Sequence, residues 1–309
     1  MDNRPAEYLS TRKWGVFSHY LYGLVKKRNL GNSDISWSSA VDRFDVERVA
    51  YTLHKMNVGY YFITLMQGTE HMIAPNGTFD SIAGTVPGEA CSIRDLPMEL
   101  SDALGKYGID LCLYYTGDGP YKHPVIGEKF GYGQTRENLN MDFVSKWGAV
   151  LEEYAVRYGD RIKAWWIDGT FDFLGYNEEL LSVYYNAIKK GNPDAAVAFN
   201  NGVGLKIEKY YSKEEFTAGE SREIRAKTPG TKYIDGALSH ILFPLGFDPS
   251  FVGAGWAAGG MKHPKEYVAS YIRELNSQGG IVTVDVLTNC DGSFDPEQEA
   301  ALVWVGKNV

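Results

Sequence analysis

The sequence predicts an α/β protein that folds as one domain, residues 1–309, in the form of a (β/α)8 TIM-like barrel. Strand-like apolar runs alternate with helix-like runs along the chain. Its 309 residues are enough to form one large barrel with a complete core. The run at 164–169, Ala-Trp-Trp-Ile-Asp-Gly, is typical of a buried strand that presents Asp168 at a turn. Such barrels carry their chemistry at the C-terminal ends of the strands. The long loops at 66–94 and 117–138 are typical of an active-site face.

The first half of the chain follows this alternation closely. Helices are predicted where apolar residues recur three and four positions apart, as at Val46, Val49, Ala50 and Leu53, and strands where apolar and aromatic residues run together. In chain order, the predicted elements are a strand at 14–19, a helix at 46–56, a strand at 58–65, a helix at 96–107, a strand at 109–116, a long amphipathic helix at 139–158 and a strand at 162–168.

Glycine, proline and capping residues mark the element ends in the second half. One helix stops before Gly191 and Pro193, the next stops before 279–280, and Asp295 is the predicted N-cap of the last. In chain order, the predicted elements are a helix at 178–190, a strand at 195–200, a short strand at 215–220, a strand within 233–243, a helix at 265–276, a β-branched strand at 281–286 and a helix at 296–305. A doubly wound open sheet is the alternative, which the lack of a Gly-rich phosphate loop after any strand weakens.

Composition excludes several classes of protein. The net charge is −8 and no basic run occurs, so nucleic acid is not an expected partner, and no apolar run reaches the ~20 residues of a membrane span. Three widely spaced cysteines, Cys91, Cys112 and Cys290, argue against a disulfide framework. No zinc or cofactor motif is present, so neither a metal nor a cofactor is expected. Residues 1–5 lack the apolar segment of a signal peptide, which indicates a cytoplasmic protein, or a secreted or periplasmic one if a leader has been removed.

Reactive side chains stand at several predicted strand ends, where a barrel would bring them together. An Asp and a Glu that face each other across an aromatic-lined pocket suit glycoside hydrolysis, and the 21 Tyr, 14 Phe and 7 Trp offer faces on which sugars pack. The competing interpretation of Asp168 is a cap on the following helix, and that of the tryptophans is ordinary packing. The candidate residues are His19, Gln67, Glu70, His71, Tyr115, Asp168, Asn200 with Asn201, and Glu220.

At these residues the chain resembles the α-L-fucosidases of glycoside hydrolase family 29 over nearly its whole length. The resemblance implies a retaining exo-glycosidase with a catalytic barrel and, here, no C-terminal β-sandwich. The matching motifs are Lys-Trp-Gly-Val-Phe-Ser-His at 13–19, Ser-Trp at 36–37, Tyr-Tyr at 114–115, His-Pro at 123–124, Trp-Ile-Asp-Gly at 166–169, Phe-Thr-Ala-Gly-Glu at 216–220, Gly-Gly-Ile-Val-Thr-Val-Asp at 279–285 and Asn-Cys-Asp-Gly-Ser-Phe-Asp-Pro at 289–296.

The resemblance also implies roles for individual residues. Asp168 would be the nucleophile, Glu220 the acid/base, with Glu223 and Asp235 as competitors, and His19 would contact a sugar hydroxyl. The further substrate-binding candidates are Trp37, Gln67, Glu70, His71, Tyr115, Asn200 and Trp256.

Two departures bear on the sugar that is bound. Gln67 and Gly68 stand where the family has paired histidines, and Ser36 stands where it has a glutamate. The substrate is therefore expected to be an α-L-fucoside or a related sugar, as a glycoside or an oligosaccharide. A non-catalytic carbohydrate-binding barrel is the second hypothesis, and a metal-dependent barrel hydrolase is the third. The exact sugar, its linkage and the oligomeric state stay open.

Overall fold

The structure is a computed structural model that describes residues 3–30, 35–132, 139–204, 206–222, 224, 228–247 and 255–309. The strands are β1 Trp14–Ser18, β2 Tyr60–Thr64, β3 Asp110–Thr116, β4 Ile162–Asp168, β5 Ala196–Phe199, β6 Tyr233–Ile234, β7 Ala237–Leu238, β8 His240–Pro244 and β9 Ile281–Val286. The helices are α1 Arg4–Ser10, α2 Tyr22–Val25, α3 Trp37–Val41, α4 Val46–Lys55, α5 Gly77–Ala83, α6 Leu96–Gly105, α7 Pro124–Phe130, α8 Met141–Tyr158, α9 Glu178–Gly191, α10 Lys265–Ser277 and α11 Pro296–Val305, with a π-helical turn at Lys26–Leu30 and 3-10 turns at Gly159–Arg161 and Asp172–Leu174.

A curled, seven-stranded parallel sheet organises the molecule. Its strand order is β5-β4-β3-β2-β1-β9-β8, so neighbours in the sheet are mostly neighbours in the chain and the last strand returns beside β1. A doubly wound sheet reverses its strand order at a switch point, which this sheet does not do. The structure therefore confirms one part of the predicted α/β barrel, the parallel sheet with helices along it.

The predicted strand at 215–220 lies between the two outer strands, β5 and β8. It makes isolated parallel bridges, Phe216 with Leu238 and Glu220 with Leu242, and the Glu215 N–H donates to the Val197 carbonyl at 2.9 Å. These contacts are not a regular eighth strand, so a fully closed eight-stranded barrel stays a prediction. The region 233–243 contains the β6–β7 hairpin and β8 rather than a single strand.

Side-chain caps fix where several helices begin. The Asp295 carboxylate accepts the N–H groups of Glu297 and Gln298 at 3.0 and 3.1 Å, which confirms the predicted N-cap of α11. Two seven-residue helices, α5 and α7, lie inside the long loops that the sequence left without structure. They are too short to show a clear helical period.

Strand alternation sorts the core into two layers, because successive side chains in a strand point to opposite faces. Phe17, Tyr114 and Trp166 belong to the cluster inside the curl of the sheet, whereas Val16 and Trp165 belong to the cluster between the sheet and the helices. Residues that follow this inner series at the carboxyl ends of the strands therefore point toward the space inside the curl of the sheet. Within the described ranges, no helix has the length and apolarity to cross a membrane, and His, Cys, Asp and Glu side chains form no group of three or more placed to hold a metal ion.

Candidate active site

A cavity of about 380 Å³ opens at the carboxyl ends of the strands. Asp168 and Glu220 form its acidic side, and aromatic rings cover much of the rest. Of the residues predicted from the sequence, five line this cavity: His19, Gln67, Asp168, Glu220 and Trp256.

Asp168 is the last residue of β4, and its carboxylate receives hydrogen bonds from three neighbours. The Tyr114 hydroxyl donates to Oδ2 at 2.5 Å, the Asn200 amide donates to Oδ1 at 2.8 Å, and the Gln67 amide reaches Oδ2 at 3.4 Å. Burial and the Asp168 charge raise the pKa of Tyr114 well above its usual range, so this hydroxyl keeps its proton and acts as a donor. The contacts orient the Asp168 carboxylate at the cavity floor.

Glu220 comes from the segment between β5 and β8. It follows Gly219, whose φ is +61° and whose added Cβ would lie 1.9 Å from the His240 carbonyl oxygen, so only glycine fits there. Burial first, and the Asp168 charge second, raise the pKa of Glu220 to about 7. Near neutral pH this carboxyl group therefore exists partly in its protonated form.

Asn200, the first residue after β5, joins the two carboxylates. One nitrogen, Nδ2, donates to Asp168 Oδ1 at 2.8 Å and to Glu220 Oε2 at 2.7 Å, so these two oxygens lie no more than 5.5 Å apart. The Oδ1 atom of Asn200 accepts the Gly202 N–H at 3.1 Å, which sets the direction of the amide. We name the group Tyr114, Asp168, Asn200 and Glu220 the acidic wall.

His19 and Trp256 lie on another side of the cavity. His19 Nδ1 is 2.7 Å from Asp285 Oδ1, and Asp285 Oδ2 accepts the Ala257 N–H at 2.6 Å. Asp285 is fully buried, so one carboxylate holds both the imidazole and the turn that carries Trp256, whose ring centroid lies 5.8 Å from that of His19. Together with Tyr22, these rings form what we name the aromatic wall.

Tyr22 lines the cavity, and the sequence did not single it out. Its ring stacks on His71 at 4.2 Å between centroids, and Trp37 meets it edge-on at 5.6 Å. Trp37 is buried, and its indole N–H donates to the Met72 carbonyl at 2.7 Å, so the prediction of Trp37 as a direct sugar platform is wrong.

His71 and Glu70 also lie behind the cavity surface. Glu70 Oε1 is 3.6 Å from His71 Nδ1 and 3.9 Å from His123 Nε2, and burial lowers the pKa of His71. His71 stacks on Tyr22, and neither His71 nor Glu70 is among the described residues that line the cavity, so direct sugar contact by these two stays a prediction. Gln67, four residues earlier than His71, is the member of this loop that reaches Asp168.

Tyr115 faces the helix layer. It is fully buried, stacks on Trp147, and donates its hydroxyl to the Trp147 carbonyl at 3.0 Å, so its prediction as a substrate contact is wrong. Tyr114 takes that place because it is in phase with Cys112, which faces inward. Counting every second residue from the inward-facing positions of each strand predicts that Tyr114 and Asp285 also face inward.

The two competing acid/base candidates have different outcomes. Asp235 is exposed at the turn of the β6–β7 hairpin, which precedes β8 and so lies away from the carboxyl ends of the strands. Its candidacy is therefore wrong. Glu223 lies outside the described residues.

Solved structures identify the fold. Three similar ones are an endo-fucoidan hydrolase of glycoside hydrolase family 107 (TM-score 0.73, 15% identity, 99% of this chain and 64% of that chain), a second endo-fucoidan hydrolase of that family (0.68, 14%, 98% and 92%), and an α-L-fucosidase of family 29 from Bacteroides thetaiotaomicron, trapped as a covalent intermediate with 2-fluoro-fucosyl fluoride (0.65, 16%, 99% and 74%). The chain shares the fold of these glycoside hydrolases. It spans less than two thirds of the length of the first of them. No family model and no curated protein matches it.

The arrangement has the parts that acid/base and nucleophilic chemistry need. Hydrogen-bond donors hold one carboxylate, Asp168. The second carboxyl group, Glu220, accepts a hydrogen bond from the same Asn200 amide and has a pKa raised to about 7. Two carboxyl groups whose environments differ in this way can take different roles at the same pH.

Proposed function

We propose that the chain is a retaining glycoside hydrolase that acts, as one catalytic domain, on α-L-fucosides or closely related sugars. The observation that carries the proposal is the Asp168–Asn200–Glu220 arrangement at the floor of a cavity with aromatic walls. A retaining enzyme needs two carboxyl groups about 5–5.5 Å apart, whereas an inverting enzyme separates them by about 6.5–9.5 Å to admit a water. The limit of 5.5 Å set by the bonds to Asn200 supports retention.

In the proposed first step, an Asp168 oxygen attacks the anomeric carbon while Glu220 gives its proton to the departing oxygen. A covalent glycosyl–enzyme ester forms, and the bond to the leaving group breaks. In the second step Glu220, now ionised, takes a proton from water, the water oxygen attacks the anomeric carbon, and Asp168 leaves as a carboxylate. A pKa of about 7 lets Glu220 serve in both steps near neutral pH.

The proposed sugar class rests on two lines of support. The resemblance to family 29 covers the strand-end motifs, and similar solved structures are a fucosidase and fucoidan hydrolases. The cavity lining also combines polar groups, Gln67 and Thr69, with the aromatic rings of Tyr22 and Trp256, the mixture with which proteins hold a sugar ring. Exo action, the release of a terminal sugar, is part of the same proposal.

A panel of 4-nitrophenyl glycosides tests the function. We expect turnover of the α-L-fucoside or of a stereochemically related sugar, and NMR of the first product should show the anomeric configuration of the substrate. The Asp168→Ala variant, purified in parallel, reports any contaminating activity. Sugar binding without turnover would instead favour the non-catalytic barrel, loss of activity with a chelator would favour a metal-dependent hydrolase, and an inverted product would exclude Asp168 as the nucleophile.

A further inference from the structure

The segment 215–220 lies between β5 and β8, and its boundary with β5, which we name the seam, separates the two proposed catalytic carboxyl groups. Asp168 belongs to β4, which pairs with β5 on one side of the seam. Glu220 lies on the other side, where it makes a parallel bridge with Leu242 of β8. The distance between the two carboxyl groups therefore depends on how the seam is closed.

Side-chain carboxylates replace part of the backbone pairing along the seam. The Glu215 N–H donates to the Val197 carbonyl at 2.9 Å, as in a parallel ladder. In such a ladder the Phe199 N–H would donate to the Glu215 carbonyl. That carbonyl instead accepts the Leu238 N–H at 2.8 Å, and the Phe199 N–H donates to the Glu214 carboxylate at 3.0 Å. The Glu215 carboxylate accepts the Val197 N–H at 2.9 Å.

Both carboxylates are buried, and further donors fix them. Glu214 is 2% exposed and also accepts the Tyr210 N–H at 2.7 Å. Glu215 is 7% exposed, accepts the Tyr185 hydroxyl at 2.8 Å, and lies 2.7 Å from the Lys189 ammonium group. Burying a carboxylate is costly unless donors surround it, so this pairing gives each group a defined place in the fold.

We propose that Glu214 and Glu215 are positioning residues that hold the seam closed and thereby set the spacing of the two proposed catalytic carboxyl groups. The inference rests on the proposed function, because this spacing matters only if the two groups act together on one bond. Neither Glu214 nor Glu215 is among the described residues that line the cavity. Each therefore acts through the backbone that it holds.

Other contacts cross the seam nearer to the cavity. Asn200 directly follows β5, and its amide donates across the seam to Glu220 at 2.7 Å. The Trp166 indole N–H donates to the Ala218 carbonyl at 3.0 Å from inside the sheet. Because these contacts persist, the expected consequence of losing one carboxylate is a small opening of the seam rather than unfolding.

Glu215→Leu tests the proposal because it removes the acceptor of the Val197 N–H. As the seam opens, Glu220 becomes less buried and moves away from Asp168, so its pKa should fall from about 7. Carbon-13 NMR of the carboxyl groups measures this pKa, with the Glu220 signal assigned from Glu220→Gln. Turnover of a 4-methoxyphenyl glycoside, whose leaving group needs a proton, should fall by about tenfold to a hundredfold, and turnover of the glycosyl fluoride should fall less. Both substrates carry the sugar that the nitrophenyl panel identifies.

Three further variants separate the hydrogen bond from other effects. In Glu215→Gln, the side-chain oxygen can still accept the Val197 N–H and the amide can donate to the Tyr185 hydroxyl, so both readouts should stay close to the wild type. Glu179→Leu, at an exposed position on α9, is the matched control and should change neither readout. Glu215→Asp keeps the charge beside Lys189 on a side chain one methylene shorter. It should shift both readouts in the same direction as Glu215→Leu, by less, and it decides the test if Glu215→Leu does not fold.

The proposal is overturned if Glu215→Leu leaves the pKa of Glu220 at the wild-type value, or if it lowers both rates equally, as a simple loss of folded enzyme would. Equal effects of Glu215→Gln and Glu215→Leu would also overturn it, because the charge and not the hydrogen bond would then be responsible. Failure of the wild type to cleave any glycoside would instead defeat the proposed function, and the NMR titration would still show whether Glu215 positions Glu220.

Discussion

The acidic wall and the aromatic wall meet at one cavity but are built in different ways. Tyr114 and Asp168 belong to neighbouring strands whose register pairs Tyr114 with Trp166, and Asn200 follows the next strand. The aromatic wall instead takes Tyr22 from the start of the short helix α2 and Trp256 from the segment before α10. Sheet register therefore places Tyr114 and Asp168, whereas Glu220 and the surface that faces the sugar depend on the packing of segments outside the regular strands.

This difference predicts different kinetic effects for the two walls. Substitutions in the acidic wall should act mainly on kcat, because its carboxyl groups are assigned roles in bond making and breaking. Substitutions in the aromatic wall should act mainly on KM, because its side chains are assigned contacts with a sugar that persist from the bound substrate to the transition state. The following variants test that division.

The largest effect is expected for Asp168→Ala. Without a nucleophile no glycosyl–enzyme forms, so kcat should fall by on the order of a thousandfold or more, while circular dichroism shows an intact fold. Asp160→Ala, which removes an exposed carboxylate before β4, is the control and should match the wild type. Retention of more than about a tenth of the wild-type rate by Asp168→Ala would show that Asp168 is not the nucleophile.

Glu220→Ala should come next. Turnover of substrates with poor leaving groups should fall by about a hundredfold or more, activated aryl glycosides should lose less, and azide should restore activity as a glycosyl azide forms. The wild-type rate should decline as the pH rises through about 7, because Glu220 then loses the proton that it donates, and the variant should lack this decline. If Glu223→Ala shows this pattern and Glu220→Ala does not, the acid/base is Glu223.

Asn200→Ala should have an intermediate effect on the acidic wall. The hydrogen bond that the Asn200 side-chain amide donates to Glu220 lowers the pKa of that carboxyl group. Removing this hydrogen bond should raise the pKa of Glu220 and move the alkaline decline in rate to a higher pH. The lost bonds to two carboxylates should also lower kcat by about tenfold to a hundredfold. Asn201→Ala is the neighbouring control, since Asn201 pairs with Asp172 and should not move the pH of the decline. A decline at the wild-type pH in Asn200→Ala would refute this role.

The same contrast explains which parts of the site were predictable from the sequence. Asp168, Asn200 and Glu220 end apolar runs, and a parallel sheet brings such ends together, so their proximity could be predicted. In β3, period-two alternation from the inward residue Cys112 indicates that Tyr114, and not Tyr115, faces the cavity. This feature is therefore predictable from the sequence alone.

The aromatic wall was harder to predict because its contacts join distant parts of the chain. Trp37 and His71 pack behind Tyr22 rather than on the cavity surface, and no local pattern shows which ring of such a group is outermost. The irregular segment before β8 gave the same difficulty, since 215–220 pairs through isolated bridges and has only a short apolar run. Tertiary packing decides both cases.

The smallest effect is expected for Asp285→Asn, which tests the aromatic wall without removing a ring. An ionised Asp285 carboxylate can only accept, so in the wild type His19 Nδ1 carries the proton between them, and in the neutral imidazole Nε2 then accepts a hydrogen bond from a sugar hydroxyl in the proposed complex. An asparagine can still accept the Ala257 N–H through its oxygen, but its amide nitrogen donates to Nδ1 and moves the imidazole proton to Nε2.

The expected result is a rise in KM of about tenfold, the cost of one misdirected hydrogen bond, with a smaller change in kcat. Nitrogen-15 NMR of His19 should report the exchanged tautomer directly, a change that general loosening of the site would not produce. Asp285→Ala is the comparison variant, since it also releases the Ala257 turn and should raise KM further. A changed tautomer with an unchanged KM would show that His19 makes no hydrogen bond to the sugar, and a large loss in kcat alone would place His19 with the acidic wall.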